Sequence, residues 1–182
     1  MLTGWSTSNY IRLASGLITA TPVSMSCFFY PTSAANGTML GLFTSGSAFN
    51  RNSFRLGLDT SPAVIALTAD ASSVGNATTT AAATLNAWNH GAGVWASATS
   101  RASYLNGGNK GTNTTSLTPS GINRSSIGIG DGSSASTPFH SGGGLAEIGI
   151  WNVALGDDEI LELSLGVPPS KIRPGSLVAY LP

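Results

Sequence analysis

The sequence predicts an all-β protein, a sandwich of two antiparallel sheets with one short helix near the C-terminal end. Short apolar segments separated by clusters of Gly, Ser, Asn and Thr recur along the chain, which is typical of strands joined by turns. Only one stretch has helical spacing. A chain of 182 residues buries a core without disulfides, so we expect a single domain over residues 1–182.

Eleven segments are predicted as strands from their apolar and β-branched residues. They are Tyr10–Leu13, Val23–Tyr30, Thr38–Thr44, Phe54–Leu58, Ala63–Thr68, Ala82–Leu85, Ala87–Ala96, Ser100–Leu105, Ser125–Ile129, Gly144–Trp151 and Leu177–Leu181. Two polar segments of low complexity, Val74–Ala83 and Lys110–Ser126, are interpreted as loops, although Thr-rich segments also pair as strands.

The predicted helix covers Asp157–Leu165. Gly156 provides an N-cap, and the acidic residues that follow it lie at the positive end of the helix dipole. Gly166 and the prolines after it end the helix. A helix of about two turns is marginal alone, so we expect it to dock on a sheet.

The low charge of the chain excludes several classes of partner. Charged residues make up 9% of it, and eight Lys and Arg balance eight Asp and Glu. Phosphate binding needs clustered basic residues, so we expect no nucleic-acid partner and no electrostatic membrane binding. No apolar run predicts a membrane span, and the N-terminus lacks a signal-peptide pattern. Cys27, the single cysteine, is expected to be a small buried strand residue.

Four motifs follow one another in the second half of the chain. They are a W-x-H strand entry within Leu85–His90, a Y-x-N-G hairpin in Ser103–Gly107, an l-x-i-G strand in Ser126–Gly130, and the long strand pattern of Gly144–Leu155. Together they resemble laminin-G-like domains of the concanavalin A-like lectin/glucanase superfamily, in the branch found in bacterial surface and phage virion proteins. The resemblance implies a jelly-roll sandwich of two curved sheets. In place of the usual apolar residues, this chain has Gly91-Ala92-Gly93 after Trp88, either a surface for close approach of another chain or a segment packed inside one subunit.

The residues do not support catalysis. Glucanases of this superfamily need alternating carboxylates on one strand, and the comparable strand here carries only Glu147. His90 and His140 are the only histidines, and no Gly-x-Ser-x-Gly motif accompanies them. We interpret His90 as a structural core residue and His140 as a loop residue, so no catalytic residue is assigned and the protein is not expected to be an enzyme.

Calcium is the one cofactor that the resemblance makes possible. Related laminin-G domains hold one ion at the sandwich rim with an Asp, a second side-chain oxygen and backbone carbonyls. Asp131, in a Gly- and Ser-rich loop, is the best candidate ligand, with Asp59 and Asp70 as second choices. Asp157 and Asp158 are interpreted as helix-capping residues.

The aromatic residues divide into core positions and a candidate binding surface. Trp88, Tyr104 and Trp151 occupy core-type motif positions. The motifs do not account for five other aromatic residues, from which a sugar-stacking surface or a protein interface would be built. They are Trp5, Trp95, Phe49, Phe54 and Phe139. The residues assigned to a glycan- or partner-binding site are Trp95, Asn109, Phe139 and His140.

The favoured function is a non-catalytic structural or adhesion module, such as a phage capsid decoration, fibre or surface assembly protein, located on a virion or extracellular surface. The alternative is a soluble carbohydrate-binding lectin domain, with or without calcium. A surface with little charge provides little electrostatic repulsion between copies of the protein. Lysines on edge strands normally prevent sheet edges from pairing, but neither Lys110 nor Lys171 lies in a predicted strand. We therefore expect a homo-oligomer or docking to protein partners.

Overall fold

Two antiparallel β-sheets form the fold in the computed structural model, which describes residues 1–47, 51–131, 135–140 and 142–182; Phe49 lies outside them. The strands are β1 (Leu2–Thr3), β2 (Ile11–Leu13), β3 (Val23–Tyr30), β4 (Gly37–Phe43), β5 (Ser53–Leu58), β6 (Ala63–Ala69), β7 (Val74–Ala82), β8 (Asn89–Ser97), β9 (Ser100–Leu105), β10 (Gly108–Asn113), β11 (Arg124–Ile127), β12 (Gly130–Asp131), β13 (Ala135–Ser136), β14 (Gly144–Trp151) and β15 (Leu177–Leu181). The helix α1 covers Asp157–Ser164, and two 3-10 turns cover Pro169–Lys171 and Pro174–Ser176. This architecture confirms the predicted all-β jelly-roll sandwich with a single short helix in the described parts of the chain.

The larger sheet has the strand order β1-β14-β3-β8-β9-β10, and β15 also pairs with β14. β1 and β15 share one edge of β14, where Leu2 lies opposite Leu145 and Leu181 lies opposite Ile148. The smaller sheet has the order β2-β11-β4-β5-β6-β7, and β12 pairs with β13 as a separate ribbon.

One side of the sandwich is closed where β7 of the smaller sheet meets β10 of the larger sheet. A Cβ atom on Gly111 would lie 1.8 Å from the carbonyl oxygen of Thr78, so the two backbones are almost in contact. The interpretation of Val74–Ala83 and Lys110–Ser126 as loops was therefore wrong for β7 and β10, whereas β11 largely coincides with the predicted strand Ser125–Ile129. Small, polar residues suit this position because larger side chains would separate the sheets.

The core between the sheets is built from alternate residues of each strand. Its members include Met25, Phe29, Leu40, Leu42, Phe54, Leu56, Trp95, Phe139 and Ile150. Cys27 is fully buried among them, as predicted, and burial raises the pKa of its thiol far above the ordinary value. Its neutral thiol therefore behaves as a small apolar side chain.

Aromatic rings in three strands lie over a glycine two residues earlier. A Cβ atom on Gly93 would lie 2.7 Å from the Trp95 ring, and one on Gly149 would lie 2.3 Å from the Trp151 ring. Phe43 covers Gly41 in the same way. The segment Gly91-Ala92-Gly93 thus packs within one subunit, the second of the two possibilities left by the sequence.

The outer face of the larger sheet is covered by α1 and the residues that follow it. Ile160 and Leu163 pack in a second apolar cluster with Ala92 and Tyr104. The backbone N–H of Gly156 donates to Glu159 Oε2 at 2.8 Å, which stabilises the helix start. This end of the chain matches the sequence prediction.

Candidate functional site

Two aromatic residues assigned to the binding surface are core residues instead. Trp95 and Phe139 are both 0% exposed. The Trp95 ring contacts Phe54 with 6.0 Å between centroids, and the Phe139 ring lies 6.4 Å from Phe29. A fully buried ring cannot stack on a sugar or dock on a partner, so the expectation for these two residues is corrected.

His140 is also buried, and it acts as a connector. Its Nδ1 accepts a hydrogen bond from the N–H of Thr32 at 3.2 Å, so Nε2 carries the proton and donates to the carbonyl of Ala35 at 3.0 Å. The ring stacks on Phe139 with 4.9 Å between centroids. His140 therefore ties the β3–β4 connection to the chain preceding β14, and its placement beneath that connection differs from the expected accessible site.

Asn109 and Asp131 lie on two other strands, β10 and β12. Asn109 is exposed on β10 of the larger sheet, where its Nδ2 donates to the carbonyl of Leu105 at 3.3 Å. Asp131 ends β12, and its backbone lies opposite Ala135. In the part of the chain that the structure describes, no group of three or more His, Cys, Asp or Glu side chains is placed to hold a metal ion.

The outer face of the smaller sheet carries a groove of about 360 Å³, called here the Arg55 groove. It follows from strand alternation: Phe54 and Leu56 of β5 face the core, so Arg55 and Gly57 face outward. Its other lining residues include Asn36, Thr38, Asp59, Ile65, Leu67, Val74, Asn76 and Thr137. The groove therefore combines an apolar floor with amide, hydroxyl and guanidinium groups.

Arg55 forms the base of this groove. The residue is only 7% exposed, and burial lowers the pKa of its guanidinium to about 10, so it stays protonated at neutral pH. Gly57 leaves no room for a side chain, because its Cβ would lie 2.5 Å from the carbonyl oxygen of Gly37. A positive charge is thus held at the bottom of a depression in a chain with zero formal net charge.

Hydrogen bonds fix the rim of the Arg55 groove. The N–H of Thr38 donates to the carbonyl of Thr137 at 3.2 Å, and the two hydroxyl groups are also 3.2 Å apart. Asp59 Oδ1 accepts the backbone N–H groups of Ser61 and Ala63 at 2.8 and 3.0 Å. These contacts hold the polar groups in place before any ligand arrives.

A second concave surface, called here the rim pocket, has a volume of about 250 Å³ and is lined by Met1, Thr3, Tyr30, Trp88, Gly142 and Gly144. Trp88 was expected in the core, but it is 45% exposed. The turn Leu85-Asn86 and the loop after it place Trp88 just before β8 begins at Asn89, outside the alternation of the strand. Tyr104 and Trp151 are buried as expected.

A third depression, of about 430 Å³, lies beside α1 on the larger sheet. Lys110 Nζ contacts Asp157 Oδ1 at 2.8 Å, and the Tyr104 hydroxyl donates to the same oxygen at 2.7 Å. The hydrogen bond from Lys110 holds the pKa of Asp157 below its usual value. Asp157 therefore anchors the first turn of α1 to β9 and β10, while Gly156 is the N-cap, and Lys110 lies in an edge strand, contrary to expectation.

Glu147 and His90, which were considered as catalytic residues, both have structural hydrogen-bond partners. Glu147 lies at a bulge of β14 with φ of +50°, and Glu147 Oε2 accepts the Tyr180 hydroxyl at 2.7 Å. His90 Nε2 and Ser26 Oγ are 2.8 Å apart in the buried sheet, and burial lowers the pKa of His90 to about 4. His90 is thus a neutral core residue at physiological pH.

The family assignment rests on a family model described as Laminin_G_3, concanavalin A-like lectin/glucanases superfamily, which matches residues 5–161. The chain belongs to the laminin-G-like concanavalin A superfamily. A search of curated proteins finds no match for this laminin-G-like chain.

Several solved structures share the laminin-G-like fold. The Ruminococcus gnavus IT-sialidase CBM40 bound to α2,3 sialyllactose has a TM-score of 0.66 and 14% identity, covering 86% of this chain and 97% of that one. Domain 4 of the arabinanase AbnA from Geobacillus stearothermophilus, in complex with arabinotriose, has a TM-score of 0.64 and 18% identity over 90% of this chain and 74% of that one. Tailspike protein 2 of the Escherichia coli O157:H7 bacteriophage CAB120 has a TM-score of 0.64 and 15% identity, covering 97% of this chain and 26% of that one. At these identities the likeness establishes the fold alone.

Helices long and apolar enough to cross a membrane are absent from the ranges that the structure describes.

The concave surfaces of this laminin-G-like chain were not found from the sequence, because each combines residues from distant segments. Alternation along β5 was the one available signal, since it places Arg55 on the face opposite to Phe54 and Leu56.

Proposed function

We propose that the protein is a non-catalytic adhesion module, carried on a virion or extracellular surface, that binds glycans in the Arg55 groove. The composition of the groove supports this proposal. Ile65 and Leu67 offer an apolar floor to the C–H face of a sugar ring, while Asn36, Asn76 and Arg55 offer groups that hydrogen-bond to hydroxyls.

The neutrality of the surrounding surface is compatible with this ligand class. Hydrogen bonds to sugar hydroxyls replace hydrogen bonds to water. A binding face with few charged groups therefore has a low desolvation cost when the sugar binds. The fixed rim formed by Thr38 and Thr137 lowers the ordering cost of binding. Carbohydrate is named as a ligand of two related folds, the R. gnavus and AbnA domains, and this supports the choice by analogy only.

A glycan array followed by calorimetry tests the proposal. Asn36→Ala and Asn76→Ala remove exposed amides from the groove, and each should weaken binding of an array hit about five- to ten-fold, as expected for one lost hydrogen bond. Asn152→Ala makes the same change at an exposed residue after β14 and should leave the affinity unchanged. An array without any hit, or equal affinities for all variants, would contradict the groove as a glycan site.

The non-catalytic part has its own test. The hydrogen bond from Tyr180 to Glu147 supports a structural role for the only carboxylate of β14. Incubation with laminarin, agarose, chitin and xylan should release no reducing ends. Turnover that is abolished by Glu147→Gln would show that the protein is a glycosidase.

A second candidate function, assembly with further copies or with other virion proteins, is favoured by β15. This edge strand of the larger sheet carries no charged residue, and Val178 within it is exposed, although a bulge there shortens the regular edge to Ala179–Leu181. Sedimentation at about 10 µM should then show oligomers, which Val178→Lys dissociates. Val74→Lys, the same change on β7, is the matched control, and monomers in the wild type would remove this candidate.

A further inference from the structure

Trp88 is the only one of the four tryptophans with substantial solvent exposure. Trp5, Trp95 and Trp151 are each at most 3% exposed, whereas Trp88 lies open in the rim pocket. An indole is the largest apolar group that a protein can place in water, and leaving it exposed sacrifices the free energy of its burial. The exposed part of the indole is therefore available to a ligand.

The loop that carries Trp88 is held rigidly. The N–H of Thr84 donates to Asn89 Oδ1 at 3.1 Å, and Asn89 Nδ2 donates to the carbonyls of Thr84 and Ala87, both at 2.9 Å. Asn86 adds an N–H bond of 2.8 Å to the carbonyl of Pro31. Residues on both sides of Trp88 are thus fixed by bonds that leave the indole itself outside the core.

Packing covers only part of the indole, since Trp88 is 45% exposed. The ring of Tyr30 approaches it edge-on, with 5.8 Å between centroids and 66° between planes. On the β14 side, a Cβ atom on Gly144 would lie 3.1 Å from Trp88 Cη2, so the ring edge lies directly on the backbone. These contacts orient the indole, and the 250 Å³ pocket adjoins the part that they leave open.

We propose that the rim pocket is a second binding site, in which the indole of Trp88 stacks on the apolar face of a pyranose ring. It deepens the proposed function, since it names the same ligand class, but it uses none of the residues of the Arg55 groove. The two sites share two connections of the sandwich: Asn36 and Tyr30 flank the β3–β4 connection, and Thr137 and Gly144 flank the one before β14. The protein would thus present two sugar sites beside the same two connections.

The pocket suits one sugar ring better than a protein partner. Its volume is below the range of about 300–1,000 Å³ typical of drug-sized ligands, which fits a single small ring. Among the residues that the structure describes, its lining has no charged side chain, and the polar groups beside the indole are those of Thr3, the Tyr30 hydroxyl and the backbone of Gly142 and Gly144. C–H groups on one face and hydroxyls around the edge describe a pyranose, whose edge those groups can hydrogen-bond.

Because Trp88 is the only exposed indole, its spectroscopic signals report this site directly. The full chain is titrated to about 50 mM with the methyl glycosides of glucose, galactose, mannose and N-acetylglucosamine, a limit that detects millimolar affinity. Acrylamide quenching and the indole N–H resonances of a ¹⁵N-labelled sample are recorded at each step. At least one glycoside should protect the fluorescence and shift the Trp88 resonance, leaving the three buried indoles unmoved.

Variants separate this site from the Arg55 groove. Trp88→Ala should lower the affinity for that glycoside about ten-fold or more, and Trp88→Phe should retain part of it. Leu165→Ala, which removes the most exposed leucine, should have no effect. Asn76→Ala should weaken binding only in the groove.

Three results would overturn the proposal. They are the absence of any Trp88 shift across the four glycosides, an unchanged affinity in Trp88→Ala, and protection that follows protein concentration instead of sugar, which would place another protein chain on the indole. Binding lost in Asn76→Ala alone would retain the groove and remove the rim site, whereas binding lost in Trp88→Ala alone would do the reverse.

Discussion

Replacing Asn89 by Ala should destabilise the protein by loosening the loop before β8. The side chain is almost fully buried and makes three hydrogen bonds to the backbone of Thr84 and Ala87. At about 1 kcal/mol for each bond the gross loss is about 3 kcal/mol. Thr84 is exposed, and its backbone groups can recover bonds to water, so we expect a net loss of about 2 kcal/mol.

Urea denaturation followed by circular dichroism measures this loss. In a thermal scan of a domain of this size, the expected loss corresponds to a fall of about 4–8 °C in the melting temperature. Asn76→Ala, an exposed change on β7, should stay within about 0.5 kcal/mol of the wild type. In the folded state, acrylamide quenching of Trp88 fluorescence should also differ between Asn89→Ala and the wild type. An unchanged midpoint together with unchanged quenching would refute the account of how Trp88 is held.

Three further perturbations test two buried positions and the proposed binding of calcium. Burial lowers the pKa of His90 from 6.5 to about 4, so on acidification the unfolded chain binds a proton at this residue before the folded protein does. The free energy of unfolding should therefore fall by up to about 3 kcal/mol as the pH is lowered from 6.5 to 4. Urea midpoints against pH should be flatter in His90→Gln. Gly128→Ala should cost more than about 2 kcal/mol in urea, since φ is +79° and the new Cβ would lie 1.9 Å from the Trp5 ring, whereas Gly108→Ala meets nothing within 4 Å and should be mild. About 1 mM calcium should raise the melting temperature of the wild type but not of Asp131→Asn, and the absence of a rise would contradict calcium binding.

Sequence reasoning placed four strands accurately, and three of them lie within the buried part of the larger sheet. Val23–Tyr30, Ser100–Leu105, Gly144–Trp151 and the edge strand Leu177–Leu181 were predicted with the bounds that the structure has. β7 and β10 were missed because their small polar residues reflect the close approach of two backbones at the closed side, which local composition does not reveal. Tertiary contact, not strand propensity, determines these two elements.

The binding residues were harder to predict than the fold because exposure depends on neighbours distant in sequence. Trp88 precedes a core strand by one residue, and the bonds of Asn86 and Asn89 hold its loop outside the interior. Trp95 could have been placed inside from its own strand, since Gly93 lies two residues earlier on the same face and leaves space for the ring. The Arg55 groove needs the register of β4 to β7, which no single segment contains.

The shared edge of β14 has a mechanical consequence. Leu181 of β15 and Leu2 of β1 lie opposite Ile148 and Leu145, so the two strands approach one another to within about 10 Å along β14. A pulling force applied through β1 and β15 acts on the sandwich at one point and peels two short strands in opposite directions. Until these strands detach, the hydrogen bonds along one edge of β14 carry the tension.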